Sequence, residues 1–322
     1  MESLLEARQL CVDYPLASGV KSWFSSQSAS LRAVNNVSFG IPRGRALGVV
    51  GESGCGKSTL GRALIGFEQP SSGEVLFNNK SLYQLDKTET KQFRRRVQMI
   101  FQEPVTALNP RLTIRQALQE IVKVHRLCEP SEQQAHIEKI ADQVGFPLGL
   151  LDRRPDSLSG GQCQRAGIAR ALMVGAELLI ADEPVSALDV SVQAQVMNLF
   201  NELRHKFDLT LLFISHDLGV VRYVCDYIAV MYLGRIVEYG PANEVFNEPR
   251  HPYTQALIAA IPRLDQFGED LPPTLEGDPP SPVNQPQGCP FYSRCPQAFD
   301  KCKQPPPRHH VENTDVWCHL FG

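Results

Sequence analysis

Nine consecutive residues, Gly51-Glu52-Ser53-Gly54-Cys55-Gly56-Lys57-Ser58-Thr59, fit the phosphate-loop pattern G-x-x-x-x-G-K-[ST]. The apolar run Ala46-Leu47-Gly48-Val49-Val50 before them reads as a strand, and Leu60, Ala63, Leu64 and Ile65 after them have helical spacing. The glycines let the backbone wrap closely, so that its N–H groups and the positive end of the following helix point at phosphate oxygens. Lys57 adds a point charge for the β- and γ-phosphates. The Ser58 hydroxyl can ligate Mg²⁺, and Thr59 is placed for the α- or β-phosphate. Taken alone, the loop implies only a nucleoside triphosphate.

Two further runs narrow the chemistry to hydrolysis. Leu178-Leu179-Ile180-Ala181-Asp182 has the pattern of a buried parallel strand ending in an acid, where Asp182 can hold Mg²⁺ through water. Glu183 follows, placed to orient and polarise a water for in-line attack on the γ-phosphorus. The apolar run from Leu209 to Ser215 delivers His216 at its end, where the ring can sense the γ-phosphate and keep Glu183 and the water in register.

A second anion site is encoded at Leu158-Ser159-Gly160-Gly161-Gln162. Ser159 and Gln162 have capping-box spacing, so Ser159 is expected to cap a helix running through Ile168, Ala169 and Leu172. Amides at Gly160 and Gly161 then face outward with the helix dipole behind them. One domain cannot wrap both anion sites around one γ-phosphate. Two domains packed head to tail can, each closing on the other's nucleotide.

The order of these motifs resembles the ATP-binding cassette family over nearly the whole chain. The phosphate loop, Gln102 in Ile100-Phe101-Gln102, the signature Leu158 to Gln162, the Asp182-Glu183 pair, the turn Ser186-Ala187-Leu188-Asp189 and His216 stand in family order. The resemblance implies that Gln102 contacts the metal and attacking water while linking to membrane subunits, and that Asp189 communicates across the dimer. It also implies that Tyr14 stacks on adenine, although an aromatic in Val12-Asp13-Tyr14-Pro15 serves equally as strand packing. Cys163 stands where the family very often has a charged or polar residue.

Gln102-Glu103-Pro104, Leu108-Asn109-Pro110, Arg250-His251-Pro252-Tyr253-Thr254 and the Pro-Ser-Pro around Ser281 are similar to the ATPases of bacterial dipeptide and oligopeptide importers. Glu103 departs from the usual Asp or Asn. The implied protein hydrolyses ATP to drive peptide uptake, with nickel or oligosaccharide import, or a non-transport cassette ATPase, as alternatives. The implied partners are a related second ATPase forming a heterodimer, two membrane permeases and an external solute-binding protein. The implied location is the cytoplasmic face of the inner membrane.

The elements that must position these residues are those of an α/β P-loop fold. Apolar strands alternating with helical patterns argue a mostly parallel sheet with helices on it. Leu10, Val12, Tyr14, Val34, Val37 and Phe39 predict shorter strands of an antiparallel edge, with residues 15–32 as a loop excursion. Ser131 and Gln134 have capping-box spacing before Ile137, Ile140, Ala141 and Val144, predicting an inserted helical subdomain over about 103–175. Val192, Val196, Leu199, Phe200 and Leu203 predict another amphipathic helix. The nucleotide domain is expected over 1–262.

Residues 263–322 read as an extension rich in proline, with Pro272, Pro273, Pro279, Pro280, Pro282 and Pro286 ahead of four cysteines. Cys289, Cys295, Cys302 and Cys318, spaced C-x5-C-x6-C-x15-C, suggest a metal site. Zinc draws closer knuckles, whereas a cubane cluster tolerates wider loops. The importer resemblance implies a [4Fe-4S] occupant. Zn²⁺ with mixed Cys/His ligands from His309, His310 or His319 is the alternative, and unligated or disulfide-bonded cysteines a third reading.

With 32 Lys and Arg against 35 Asp and Glu, a net charge of −3 gives no electrostatic case for a nucleic-acid partner. No apolar run is long enough to cross a bilayer, and Met1-Glu2-Ser3-Leu4-Leu5-Glu6 does not suit a signal peptide, so a cytosolic chain reaching the membrane through partners is expected. Cys11, Cys55, Cys128 and Cys225 read as thiols of a reducing compartment, with Cys55 open to alkylation that blocks ATP. Arg94-Arg95-Arg96 reads as a solvated or inter-subunit surface.

Overall fold

Runs of apolar residues without alternation form strands buried on both faces in the computed structural model, which describes residues 2–15, 30–261, 277, 280–283 and 285–322. In chain order the strands are β1 (Ser3–Pro15), β2 (Ser30–Pro42), β3 (Ala46–Val50), β4 (Ser72–Phe77), β5 (Lys80–Ser81) and β6 (Val97–Ile100). Then come β7 (Leu178–Asp182), β8 (Thr210–Ser215), β9 (Tyr227–Tyr232), β10 (Arg235–Pro241), β11 (Arg308–Val311) and β12 (Thr314–Trp317). The helices are α1 (Lys57–Leu64), α2 (Lys87–Arg96), α3 (Ile114–His125), α4 (Gln133–Gln143) and α5 (Gly160–Met173). They continue as α6 (Val190–Phe207), α7 (Leu218–Val224), α8 (Ala242–Asn247) and α9 (Pro252–Ala259). The chain divides into two units, one built mainly from Pro42–Ala46 and Gln84–Ile214, the other from Ser3–Ile41, Leu47–Tyr83 and Ser215–Gly322.

In the first unit β6, β7 and β8 pair in parallel, with Ile100 opposite Ala181 and Asp182 opposite Ile214. Every residue of β7 and β8 is buried, the expected signature of strands covered on both faces. Helices α3 and α4 pack on α5. Helix α3 turns in Ile114, Leu118 and Val122, one stripe at i, i+4, i+8, and burying each such side chain stabilises by about 1.5–3 kcal/mol. Thr113 caps it through a reciprocal bond with Gln116, a capping box not singled out in the sequence. The box expected at Ser131 does not form. Helix α4 starts later, at Gln133, with Glu132 as an N-cap that makes no side-chain bond. Its apolar stripe Ile137, Ile140, Ala141 and Val144 is buried as expected. Its end is closed by Gly145 at φ 63 and by Arg165, which donates to Val144 O at 2.7 Å. Arg96 and Arg43 hold Glu177 at the surface, while Arg94 is exposed.

In the second unit β3 pairs in parallel with β9, and β9 continues antiparallel to β10. Gly48 in β3 is required because a Cβ there would lie 1.9 Å from Val221 Cγ1 of α7. A separate four-stranded sheet has the order β2-β1-β4-β5, with β1 antiparallel to β4. Its β1 and β2 are thirteen residues each, longer than the short edge strands expected. Beyond the prolines the chain returns to regular structure: β12 adds antiparallel to β10, Glu238 opposite Val316, and β11 pairs with β12. The expected excursion falls largely on residues 16–29, outside the described residues, as do Pro272, Pro273 and Pro279.

Glu238 in β10 is fully buried and stitches this edge to the turn before α9. Its carboxylate accepts from the backbone N–H of Arg250 at 2.7 Å and of His251 at 2.9 Å. Glu238→Ala leaves one buried and one half-buried amide without acceptors and is expected to cost roughly 2–4 kcal/mol in urea unfolding. Burial raises the Glu238 carboxyl above its ordinary range, so its contribution is full below the unfolded pKa and declines as pH rises through the folded one. Glu238→Gln should remove that decline from the stability–pH curve.

Candidate functional site

The phosphate loop lies in the second unit, where β3 turns into α1. Gly51 at φ 156 and Gly56 at φ 105 bring the backbone against neighbouring carbonyls. A Cβ would sit 2.1 Å from Met231 O at the first and 2.1 Å from Ala33 O at the second, so only glycine fits. Lys57 is buried, and its ammonium donates to Gly51 O at 2.7 Å and Glu52 O at 3.0 Å, folding the side chain back along the loop. Ser53 and Gly54 are exposed at the tip, and Ser58 and Thr59 are half-buried at the start of α1. Cys55 is buried, and burial pushes its thiol up. Tyr14 is half-buried, and burial raises its hydroxyl above the ordinary range. His216 is exposed just beyond β8, and Asp217 after it caps α7 by accepting from the N–H of Gly219 and Val220.

The carboxylates lie in the first unit. Asp182 ends β7 at 3 % exposure. Glu183 breaks the strand with φ 45, an uncommon conformation for a residue with a side chain, held by its N–H donating to Ile214 O at 2.9 Å. Gln102, two residues past the end of β6, donates from Nε2 to Glu183 Oε2 at 3.1 Å. The segment after Gln102 is tied down in turn: Thr106 Oγ1 donates to Glu103 O at 3.0 Å, and Arg170 of α5 donates to Ala107 O. Glu103 itself is exposed.

Ser159 caps α5 in the expected box: Gln162 N–H donates to Ser159 Oγ at 3.3 Å, and Ser159 N–H to Gln162 Oε1 at 2.9 Å. Its glycines have a reason beyond presenting amides. A Cβ at Gly161 would lie 2.5 Å from Val192 Cγ1, and one at Gly160 3.1 Å from Leu188 Cδ2. The signature therefore packs directly on the turn that carries Asp189. Asp189 caps α6, accepting from Ser191 Oγ at 2.7 Å and Val192 N–H at 3.0 Å, bonds that hold its carboxyl below the usual range. Cys163 is fully buried, its thiol toward Pro155 O at 3.5 Å, so the departure at this position is accommodated by packing.

Cys289, Cys295, Cys302 and Cys318 line one cavity, together with His251 and His319. Cys289, Cys302 and Cys318 are buried and Cys295 half-buried. Burial pushes the Cys289 thiol up to about 11, and the sulfurs of Cys302, Cys318 and Cys295 add to the rise. His319 Nε2 bonds to Gln304 O at 3.0 Å; donation to that carbonyl leaves Nδ1 as the lone-pair nitrogen, buried without a hydrogen-bond partner among the described residues. No group of three or more His, Cys, Asp or Glu side chains among the described residues could hold a metal ion. His309 and His310 lie on β11, where His310 pairs with Asp315.

Arg294 and Tyr253 are contacts of the phosphate loop that the sequence reading did not assign. Tyr253 stood inside the noted Arg-His-Pro-Tyr-Thr run, but nothing in that run says which loop its hydroxyl meets. Arg294, beside Cys295, carried no signal at all.

The ABC transporter family model matches residues 34–186, and the model described as the C-terminal region of oligopeptide/dipeptide transporters matches 237–302. The chain is 43 % identical to the oligopeptide transport ATP-binding protein AppF of Bacillus subtilis, covering 100 % of this chain and 98 % of that protein. It is 46 % identical to the oligopeptide transport ATP-binding protein OppF of Haemophilus influenzae, covering 97 % and 95 %. Among solved structures, cbiO1 of Clostridium perfringens, part of an ABC transporter complex, aligns with a TM-score of 0.65 at 27 % identity over 77 % of this chain and 92 % of that one. The dimeric ATP-binding cassette MJ0796 bound to ADP and phosphate aligns at 0.64 and 25 % identity over 74 % and 98 %.

Gly161→Ala should force a methyl group into Val192 and lower the urea midpoint by an amount equivalent to about 1–3 kcal/mol. Adding Val192→Ala should recover most of that loss in the same measurement.

Proposed function

The chain belongs to the ABC transporter ATP-binding proteins of the oligopeptide and dipeptide type, and from that membership we propose how its residues divide the work. It is the ATP-hydrolysing subunit of a peptide importer, coupling ATP + H₂O → ADP + phosphate to uptake. The observation that carries the catalytic reading is the Gln102–Glu183 bond at the end of a buried strand, with Glu183 fixed in a left-handed backbone.

In this reading residues 1–262 are the nucleotide-binding domain, with a helical subdomain over about 103–175. The loop amides of Gly51, Ser53, Gly54, Cys55 and Gly56, with Lys57 and Thr59, bind the phosphates, and Tyr14 packs on the adenine. Ser58, Asp182 and Gln102 hold Mg²⁺, which when bound offsets phosphate charge. The buried carboxylate of Asp182 is a hard oxygen ligand of the type this ion takes. Glu183 orients the attacking water and draws its proton, Gln102 holds the Glu183 carboxylate in line, and His216 meets the γ-phosphate. Ser159, Gly160, Gly161 and Gln162 close on the nucleotide of a partner ATPase, and Asp189 reports that closure.

The partner is a related second ATPase, and two permeases with an external binding protein complete the assembly at the cytoplasmic face of the inner membrane. No helix among the described residues is long and apolar enough to cross a membrane.

The importer resemblance is what carries the reading of a [4Fe-4S] cluster that would be held by Cys289, Cys295, Cys302 and Cys318; that all four residues line one cavity supports it, since a cluster takes its ligands from wider apart than a single ion does. Such a cluster, when bound, supplies a cross-link between the turns carrying the thiols, which must shed their protons to bind it.

Glu183→Gln should reduce ATP turnover by about 10²–10⁴ while leaving nucleotide binding intact, measured by phosphate release beside ATP titration. Turnover at the wild-type rate would remove Glu183 from its role. Anaerobic purification should yield about four irons per chain by metal analysis; stoichiometric zinc in a colourless protein would replace the cluster reading with the zinc one.

A further inference from the structure

Glu52 stands inside the phosphate loop, yet its side chain faces the cysteine region. Arg294 Nη1 meets Glu52 Oε2 at 2.9 Å and Nη2 meets Oε1 at 3.1 Å, a two-pronged pair whose arginine side chain is only 6 % exposed. The same guanidinium reaches the Tyr232 hydroxyl at 3.3 Å. Arg294 immediately precedes Cys295, one of the four thiols lining the cavity. The backbone of Glu52 is held from the same side, its N–H donating to the Tyr253 hydroxyl at 2.9 Å. Tyr253 packs on Tyr232 at 4.6 Å and on Phe291 at 5.4 Å between ring centroids, and Phe291 lies two residues after Cys289. Finally, the Glu52 carbonyl accepts from Lys57 Nζ.

Both the side chain and the amide of one loop residue are therefore set by groups seated beside the cysteines, and its carbonyl holds the lysine meant for the phosphates. The charge argument runs the same way. A carboxylate within a loop that binds a triphosphate repels the ligand unless a cation neutralises it, and a largely desolvated bidentate arginine does so with little screening. We infer that Arg294 is a positioning residue of the phosphate loop, through which the state of the four-cysteine cavity sets the affinity for ATP. When the cavity is intact Arg294 neutralises Glu52 and holds the loop in its binding shape. When Cys295 is alkylated, as by iodoacetamide with loss of iodide and the thiol proton, the turn carrying Arg294 shifts and the Glu52 charge is released toward the phosphates. The inference rests on the phosphate loop binding ATP.

The test is titration of the purified full chain with a fluorescent ATP analogue and Mg²⁺. Arg294→Met should bind roughly five- to 50-fold more weakly than wild type, within the usual span of site-to-site coupling, and Arg294→Lys should recover part of the loss. In a Glu52→Gln background, Arg294→Met should cost less than about twofold, because the charge it neutralises is gone. Wild-type affinity in Arg294→Met, or the same loss in both backgrounds, overturns the inference. In the wild-type chain with its four thiols unligated, Mg-ATP should hold the turn that carries Arg294 and slow alkylation of Cys295 by at least about fivefold. That rate must be read on the Cys295 peptide by mass spectrometry, since ATP shields Cys55 directly. An unchanged Cys295 rate overturns the inference even if the Arg294 variants do not fold. Failure of the wild type itself to bind ATP strikes the phosphate-loop reading instead.

Discussion

The second unit is organised around a close approach of backbone to backbone. At Gly51 and Gly56 the phosphate loop lies against the carbonyls of Met231 and Ala33, leaving no space for a side chain at either position. Those carbonyls belong to β9 and β2, so the loop is seated between a strand of each of that unit's sheets. Lys57 bonds back to the carbonyls of Gly51 and Glu52, and the Tyr232–Tyr253–Phe291 aromatics pack behind the loop. Interiors at native density transmit displacement rather than absorb it. A shift in β9 or in the aromatic cluster is thus a shift in the loop.

In the first unit the comparable constraint is the left-handed backbone at Glu183. A residue with a side chain holds φ 45 only where its surroundings over-determine it. Here the Ile214 carbonyl takes the N–H, Ser186 Oγ donates to the Glu183 carbonyl at 3.0 Å, and Gln102 takes the carboxylate. The signature glycines obey a different constraint, the packing of α5 on α6 through Val192.

What could be read from sequence followed from periodicity and from short-range spacing. The continuous apolar runs of β7 and β8 are unambiguous because burial on both faces admits no alternation. Ser159 and Gln162 announce their helix because both halves of the capping box sit within four residues. The same rule misled at Ser131, since spacing alone does not say whether the chain has begun to turn, and it passed over Thr113 and Gln116, where the box does form. Long-range contacts carry no such mark. Arg294 and Glu52 are separated by 242 positions, and an arginine before a cysteine looks like any surface arginine. The packing reason for Gly161 was hidden likewise, because it depends on a valine in another helix. The four cysteines were legible as a group, while their shared cavity required the fold.

The pairing of β12 with β10 has a consequence for how the protein is made. Strand β10 ends at Pro241, and its neighbour begins only at Thr314, so the ribosome delivers the partner long after β10 has left the exit tunnel. During that interval β10 presents bare backbone donors and acceptors on one side, the kind of edge that recruits foreign strands. The strand that finally occupies the position brings β11 with it, and its Arg308, His309 and His310 supply the charge and polarity that discourage further strand addition.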